Sequence, residues 1–144
     1  MGNPQKLSNN SESLKLAFES LDSCEGYINH ISYQVHDLLK LYKQEHNDLA
    51  NVRFFEVTDL LGLYVQLMTR IYRVFRLEIK NCPEKNKSIL AKEIHLIATI
   101  KAIHETHEKN DLIALCDLLE HELLANLNEW KTSALPELKK LKNY

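Results

Sequence analysis

The stretch HETHE, His104 to Glu108, places two imidazoles at i and i+3 and a histidine and a carboxylate, His104 and Glu108, at i and i+4. On a helix those three side chains share one face, and holding a divalent metal through nitrogen and oxygen donors is the chemistry such a face could do. Asp117 and His121 repeat the i, i+4 spacing further on. Carboxylate-bridged di-metal bundles, however, use Glu-x-x-His on two helices, and no histidine of this chain has a glutamate three residues before it. The stretch therefore reads first as the solvated last turn of a helix. A metal-binding bundle using His104, His107 and Glu108 is the alternative. His30, His36, His46 and His95 are scattered, and none has a serine or cysteine beside it in a nucleophile arrangement. Three glycines cannot build a phosphate loop. No catalytic residue, metal or cofactor is expected, and the chain reads as a non-enzyme.

Charge gives a second candidate. Arg70, Arg73, Arg76 and Lys80 fall within about a third of a helix circumference, with no acid among them on that arc. Either the acids Asp117, Glu120, Glu122 and Glu129 balance this strip at long range or it is simply solvated, or else it docks an acidic partner. Four cations without a stacking platform do not suit nucleic acid. Tyr27, Tyr33 and Leu41 lie beside the apolar seam of the first helix and are the remaining candidates for a partner-binding surface.

The elements that must carry these residues are helices. With 3 Gly and 3 Pro in 144 residues, few points interrupt the chain, and a turn-rich β architecture is excluded. Residues 1–10 are polar and without periodicity, an expected disordered lead-in. From Ser11, the positions Leu14, Ala17, Leu21, Cys24, Ile28, Ile31, Val35, Leu38 and Tyr42 keep a strict 3-4 spacing, the seam of a bundle. Gly26 lies outside that seam, and a break there would give five helices instead of four. A second helix, from about Leu49 to Lys80, carries two parallel seams and so an arc wide enough for two neighbours. Pro83 ends the pattern, and Ser88 is the expected cap of a third helix bearing Leu90, Ile94, Leu96, Ile97, Ile100 and Ile103. Asn110 or Asp111 caps a fourth, and a short basic amphipathic tail follows Pro136.

The fold expected is all-α, an antiparallel up-down bundle of four helices with two long N-terminal ones. Its helical domain covers 11–131, with the tail over 132–144. The first helix outruns partners of about twenty residues, so part of its seam should stay uncovered and drive a homodimer. A formal charge of −2 gives no overall pull to nucleic acid or an anionic membrane. The absence of a signal sequence and of any apolar run near ~20 residues places the chain in the cytoplasm. Cys24, Cys82 and Cys116, an odd set without a CxxC pair, fit reduced thiols there.

The run KNDLIALCDLLEHELLANLNEW, Lys109 to Trp130, resembles the C-terminal signature of an uncharacterised family of small cytoplasmic bacterial proteins, mainly from Firmicutes. The matching positions are Asn110, Asp111, Leu115, Asp117, Leu118, Leu119, Glu120, Glu122, Leu123, Leu124 and Trp130. The same helix is more weakly similar to the flagellar export chaperone family FliS, whose Asn-Asp to Trp interval is one residue shorter. The first resemblance implies a helical fold and no activity. The second implies an apolar groove that holds another protein's helical tail. The expectation is thus a non-enzymatic bundle that binds another protein's helix, as a flagellar or secretion chaperone or adaptor.

Overall fold

The computed structural model describes residues 12–143, the backbone of its first helix being traced from Pro4. Four helices follow one another: α1 (Pro4–Lys43), α2 (Asn47–Glu78), α3 (Lys87–Glu108) and α4 (112–143). There is no strand among the described residues, and the architecture is the expected all-α bundle with two long N-terminal helices. The expected lead-in over 1–10 lies outside the described residues.

The 3-4 spacing of α1 does what such spacing dictates: Ala17, Leu21, Cys24, Ile28, Ile31, Val35, Leu38 and Tyr42 are all buried. Gly26 stands on the open side with nothing within 4 Å of where a Cβ would be, and α1 passes through it unbroken. Among the described residues the helices number four, not five. α1 and α2 form an antiparallel hairpin, held by Phe18 against Phe75 (ring centroids 4.7 Å), Cys24 against Met68 (3.8 Å) and the Asp37–Arg53 ion pair (3.0 Å).

Chain reversals use left-handed residues in place of glycine: Glu45, Asn81 and Asn110 have φ of 59°, 55° and 54°. After α1 and α3 the amide of the following residue reaches back across the last turn, His46 to the Leu41 carbonyl and Asp111 to the Thr106 carbonyl. That pattern satisfies carbonyls left open at a helix end. The cap of α3 is Asn86, whose side chain accepts from the Ile89 amide at 2.8 Å; Ser88, expected in that role, instead accepts from Lys92 inside the first turn. Asp111 caps α4 by accepting from the Ala114 amide.

α4 is longer than its sequence pattern suggested. Two π-turns, Leu118–Leu123 and Trp130–Ala134, are set into it, with Leu124 donating to the Leu119 carbonyl and Leu135 to that of Trp130. The buried residues Leu115, Leu119, Leu123 and Leu127 recur every fourth position. At 3.6 residues per turn such a stripe would wander off the core, and an inserted π-turn brings it back. The helix then continues through Ala134, Leu135 and Leu138, all buried, and Lys139 meets Asp22 of α1 at 3.7 Å. From Ala17 on, the first half of the α1 seam is therefore covered from within the chain, and among the described residues no long uncovered stretch of it is left to drive a homodimer.

α4 packs on both α1 and α3. At its middle, Asn126 is fully buried and donates through Nδ2 to His95 Nδ1 (3.1 Å) and the Lys92 carbonyl (3.4 Å). The other ring nitrogen of His95 meets Glu122 at 2.9 Å. α2 and α3, by contrast, come close through side chains while their backbones stay apart. That opening is the main departure from an evenly closed ring of helices.

Candidate functional site

The opening between α2 and α3 is a groove with a built floor, and its character changes towards the α2–α3 connection. Near its middle a cavity of about 70 Å³ is walled by Val65, Met68 and Thr69 of α2 and by Glu93, Leu96 and Ile97 of α3. Tyr64 and Trp130 form its base, ring against ring at 5.7 Å and 90°. The Tyr64 hydroxyl and Trp130 Nε1 are buried without a hydrogen-bond partner among the described residues. Burial, with smaller contributions from Cys24 and Glu93, holds the Tyr64 hydroxyl far above its ordinary pKa. Thr69 and Lys85 also line the next hollow, of about 380 Å³, together with Tyr72, Arg73, Arg76 and Leu77.

Lys85, in the α2–α3 connection, stitches the groove at this point. Its ammonium pairs with Glu93 at 2.8 Å and lies 4.2 Å from the centre of the Tyr72 ring. Ile97, which lines the cavity, is 56% exposed, and on the same helix Ile94 is 68% exposed and Leu90 is exposed too. With Leu96, Ile100 and Ile103 these three make up the apolar periodicity of α3. The six span too wide an arc for the single close neighbour, α4, that α3 has, so half of them face outward.

The seven candidate surface residues do not converge on one site. Arg73 and Arg76 line a hollow on α2 that shares Thr69 and Lys85 with the cavity between α2 and α3. Arg70 turns the other way and meets Tyr27 in a groove of about 310 Å³ between α1 and α2, with His30, Leu63 and Leu67. Leu41 lies at the far end of the hairpin, in a hollow with Leu49, Val52 and Arg53. Tyr33 and Lys80 are exposed and line none of these. Among the described residues, no carboxylate lies within ion-pair distance of Arg70, Arg73, Arg76 or Lys80. Of the acids of α4 named for long-range balance, Glu122 is on His95.

The HETHE stretch is carried to an aromatic cluster. His107 stacks on Phe54 at 3.8 Å and 7°, Phe55 meets it edge-on, and Asn51 lies 3.4 Å from its Nε2. His104 approaches the same Phe54 edge-on at 6.1 Å. Among the described residues there is no group of three or more His, Cys, Asp or Glu placed to hold a metal ion. The cysteines are unpaired, and burial pushes the Cys24 thiol up to about 11 against the opposing pull of Lys139. No helix of the described residues is long and apolar enough to cross a membrane.

What sequence reasoning missed is the groove itself, namely Lys85, Leu77, the α3 rim and the role of Trp130 as floor. The wide apolar arc of α3 was the available signal. These features define a four-helix bundle with one open side. The chain belongs to the family of a domain of unknown function, DUF8042, whose family model matches residues 19–133 and so takes in both walls of the groove. No curated protein and no solved structure matches the chain.

Proposed function

We propose that this chain is a non-enzymatic helical bundle that binds another protein's helix in the groove between α2 and α3. One observation carries the reading: α2 and α3 stand apart over a floor of Met68, Leu96 and Trp130, with Ile97 exposed at the edge of the cavity and Leu90 and Ile94 exposed on the same helix. Packed helices ordinarily sit ~8–10 Å apart and cover each other's apolar stripe, and an amphipathic helix laid in such a groove would supply the missing cover. A role as a flagellar or secretion chaperone or adaptor in the cytoplasm is the finer proposal, resting on the resemblance of α4. A homodimer, with its seam closed inside the chain, is left with the exposed Tyr27 and Tyr33 as contacts.

The test is a photoreactive amino acid at Ile97, introduced into the chain in its native host. The expected result is one cross-linked protein, with the adduct mapping to a helical segment, and its loss when Ile94 is changed to Asp. A blank at Ile97 together with a strong adduct at an outward control such as Glu25 would contradict the reading.

A further inference from the structure

The middle of the groove and its end at the α2–α3 connection differ in chemistry, and the difference specifies its occupant. Resting on the proposed helix-binding role, we infer that the occupant is an amphipathic helix with a cluster of acidic residues at one end and an apolar stripe along the rest. Along α2 the wall changes from Val65 and Thr69 to Arg76 over eleven residues, ~16 Å or three helical turns. The middle of the groove offers Met68, Leu96, Ile97 and Trp130 and takes apolar side chains at i, i+4 and i+7.

At the end nearest the α2–α3 connection, Arg73 and Arg76 stand exposed with no carboxylate within ion-pair distance among the described residues. Glu93, the acid lining the cavity at the middle of the groove, is already paired with Lys85 at 2.8 Å, and Glu84 and Glu137 line a separate hollow on the other side of Tyr72 and Lys85. Two guanidiniums fixed on one helix face and one turn apart match carboxylates one turn apart on an opposing helix, each able to accept two parallel N–H bonds. A bilayer is the other anionic surface available to such arginines. It is flat, whereas the apolar residues next to these arginines line a concavity walled by both α2 and α3, which favours a helix.

Trp130 is the only tryptophan and lies at the groove floor, so its emission reports the occupant directly. The probe is a synthetic amphipathic peptide of about 18 residues, ~27 Å as a helix, with glutamates in its first two turns and leucines at i, i+4, i+7 and i+11. It is compared with the same peptide carrying lysines for glutamates, against the full chain. The glutamate peptide is expected to bind at least about tenfold tighter than the lysine one, with the gap narrowing as salt is raised. The doubly reversed variant, Arg73→Glu with Arg76→Glu, is expected to invert the preference, and Ile97→Asp to weaken both peptides. All three substitutions are at exposed positions, and far-ultraviolet circular dichroism checks the fold.

Equal affinity for the two peptides, or a preference that survives the double reversal, overturns the acidic-end inference and leaves the groove reading standing. No binding of either peptide to the folded wild-type chain overturns both. Binding to anionic-lipid vesicles that the double reversal abolishes, with neither peptide bound, also overturns both and assigns the arginines to a membrane surface.

Discussion

His107 shows how a residue chosen for its chemistry ends up serving packing. Its ring lies flat on Phe54, between α2 and the last turn of α3, and faces Asn51, Phe54 and Phe55 from one side and His104 and Glu108 from its own helix. Burial, then the neighbouring His104, lowers its pKa from the usual 6.5, with Glu108 opposing. The unfolded chain thus holds this proton more tightly than the folded one. The resulting stability is fully present above about pH 6.5 and is lost as pH falls from there towards the lower folded value. The urea midpoint should therefore drop between about pH 7.5 and about pH 5.5, and His107→Phe, which keeps the stacked ring, should flatten that drop. An unchanged slope in the variant would assign the acid sensitivity elsewhere. The spacing of His104, His107 and Glu108 was readable in the sequence. Their destination was not, because the phenylalanines that receive them are some fifty residues away and nothing local records the pairing.

At the scale of the helix, the regular α1 seam was legible in full, residue by residue, because 3-4 spacing and an unbroken α-helix are the same statement. α4 was misjudged for the converse reason. Its buried leucines at 115, 119, 123 and 127 keep a spacing of four, which a plain α-helix cannot hold on one face, and this irregularity is the mark of its π-turns. The cap of α3 was missed by two residues because Asn86 and Ser88 are both good caps, and the choice between them follows from which start buries Ile89. The π-turn yields a test. Deleting Glu120, exposed within Leu118–Leu123, should convert that turn to an α-turn and leave Leu127, Trp130 and Leu135 on the core side. The shortened chain should keep its helicity with a thermal midpoint shifted by only a few degrees, about 1 kcal/mol. Deleting the equally exposed Glu25 from α1, which has no π-turn to absorb the loss, rotates every preceding seam residue by ~100° and should abolish cooperative unfolding.

For the molecule as a whole, the question is what closes the long hairpin. The expectation of a self-pairing seam assumed a fourth helix ending near Trp130, but residues 132–143 continue it along the first half of α1. Leu135 and Leu138 are buried there, Lys139 pairs with Asp22, and the Lys142 ammonium lies 5.5 Å from the centre of the Phe18 ring. Full burial of two leucines contributes about 3–6 kcal/mol, a large part of the ~5–15 kcal/mol by which a domain of this size is stable. The two ion contacts are exposed and add little. A chain ending at Lys131 would also leave Phe18 and Leu21 facing water, which recreates by truncation the uncovered seam. In that chain we expect light scattering to give a mass that rises with concentration, and a midpoint in urea well below that of the full chain. Restoring residues 132–144 with Leu135 and Leu138 both changed to Asp should not reverse either effect, since the cover is apolar contact and not chain length. If the truncated chain stayed monomeric and as stable as the full one, the C-terminal cover would have no energetic role. The α1 seam would then have to be closed by α2 and the first part of α4 alone.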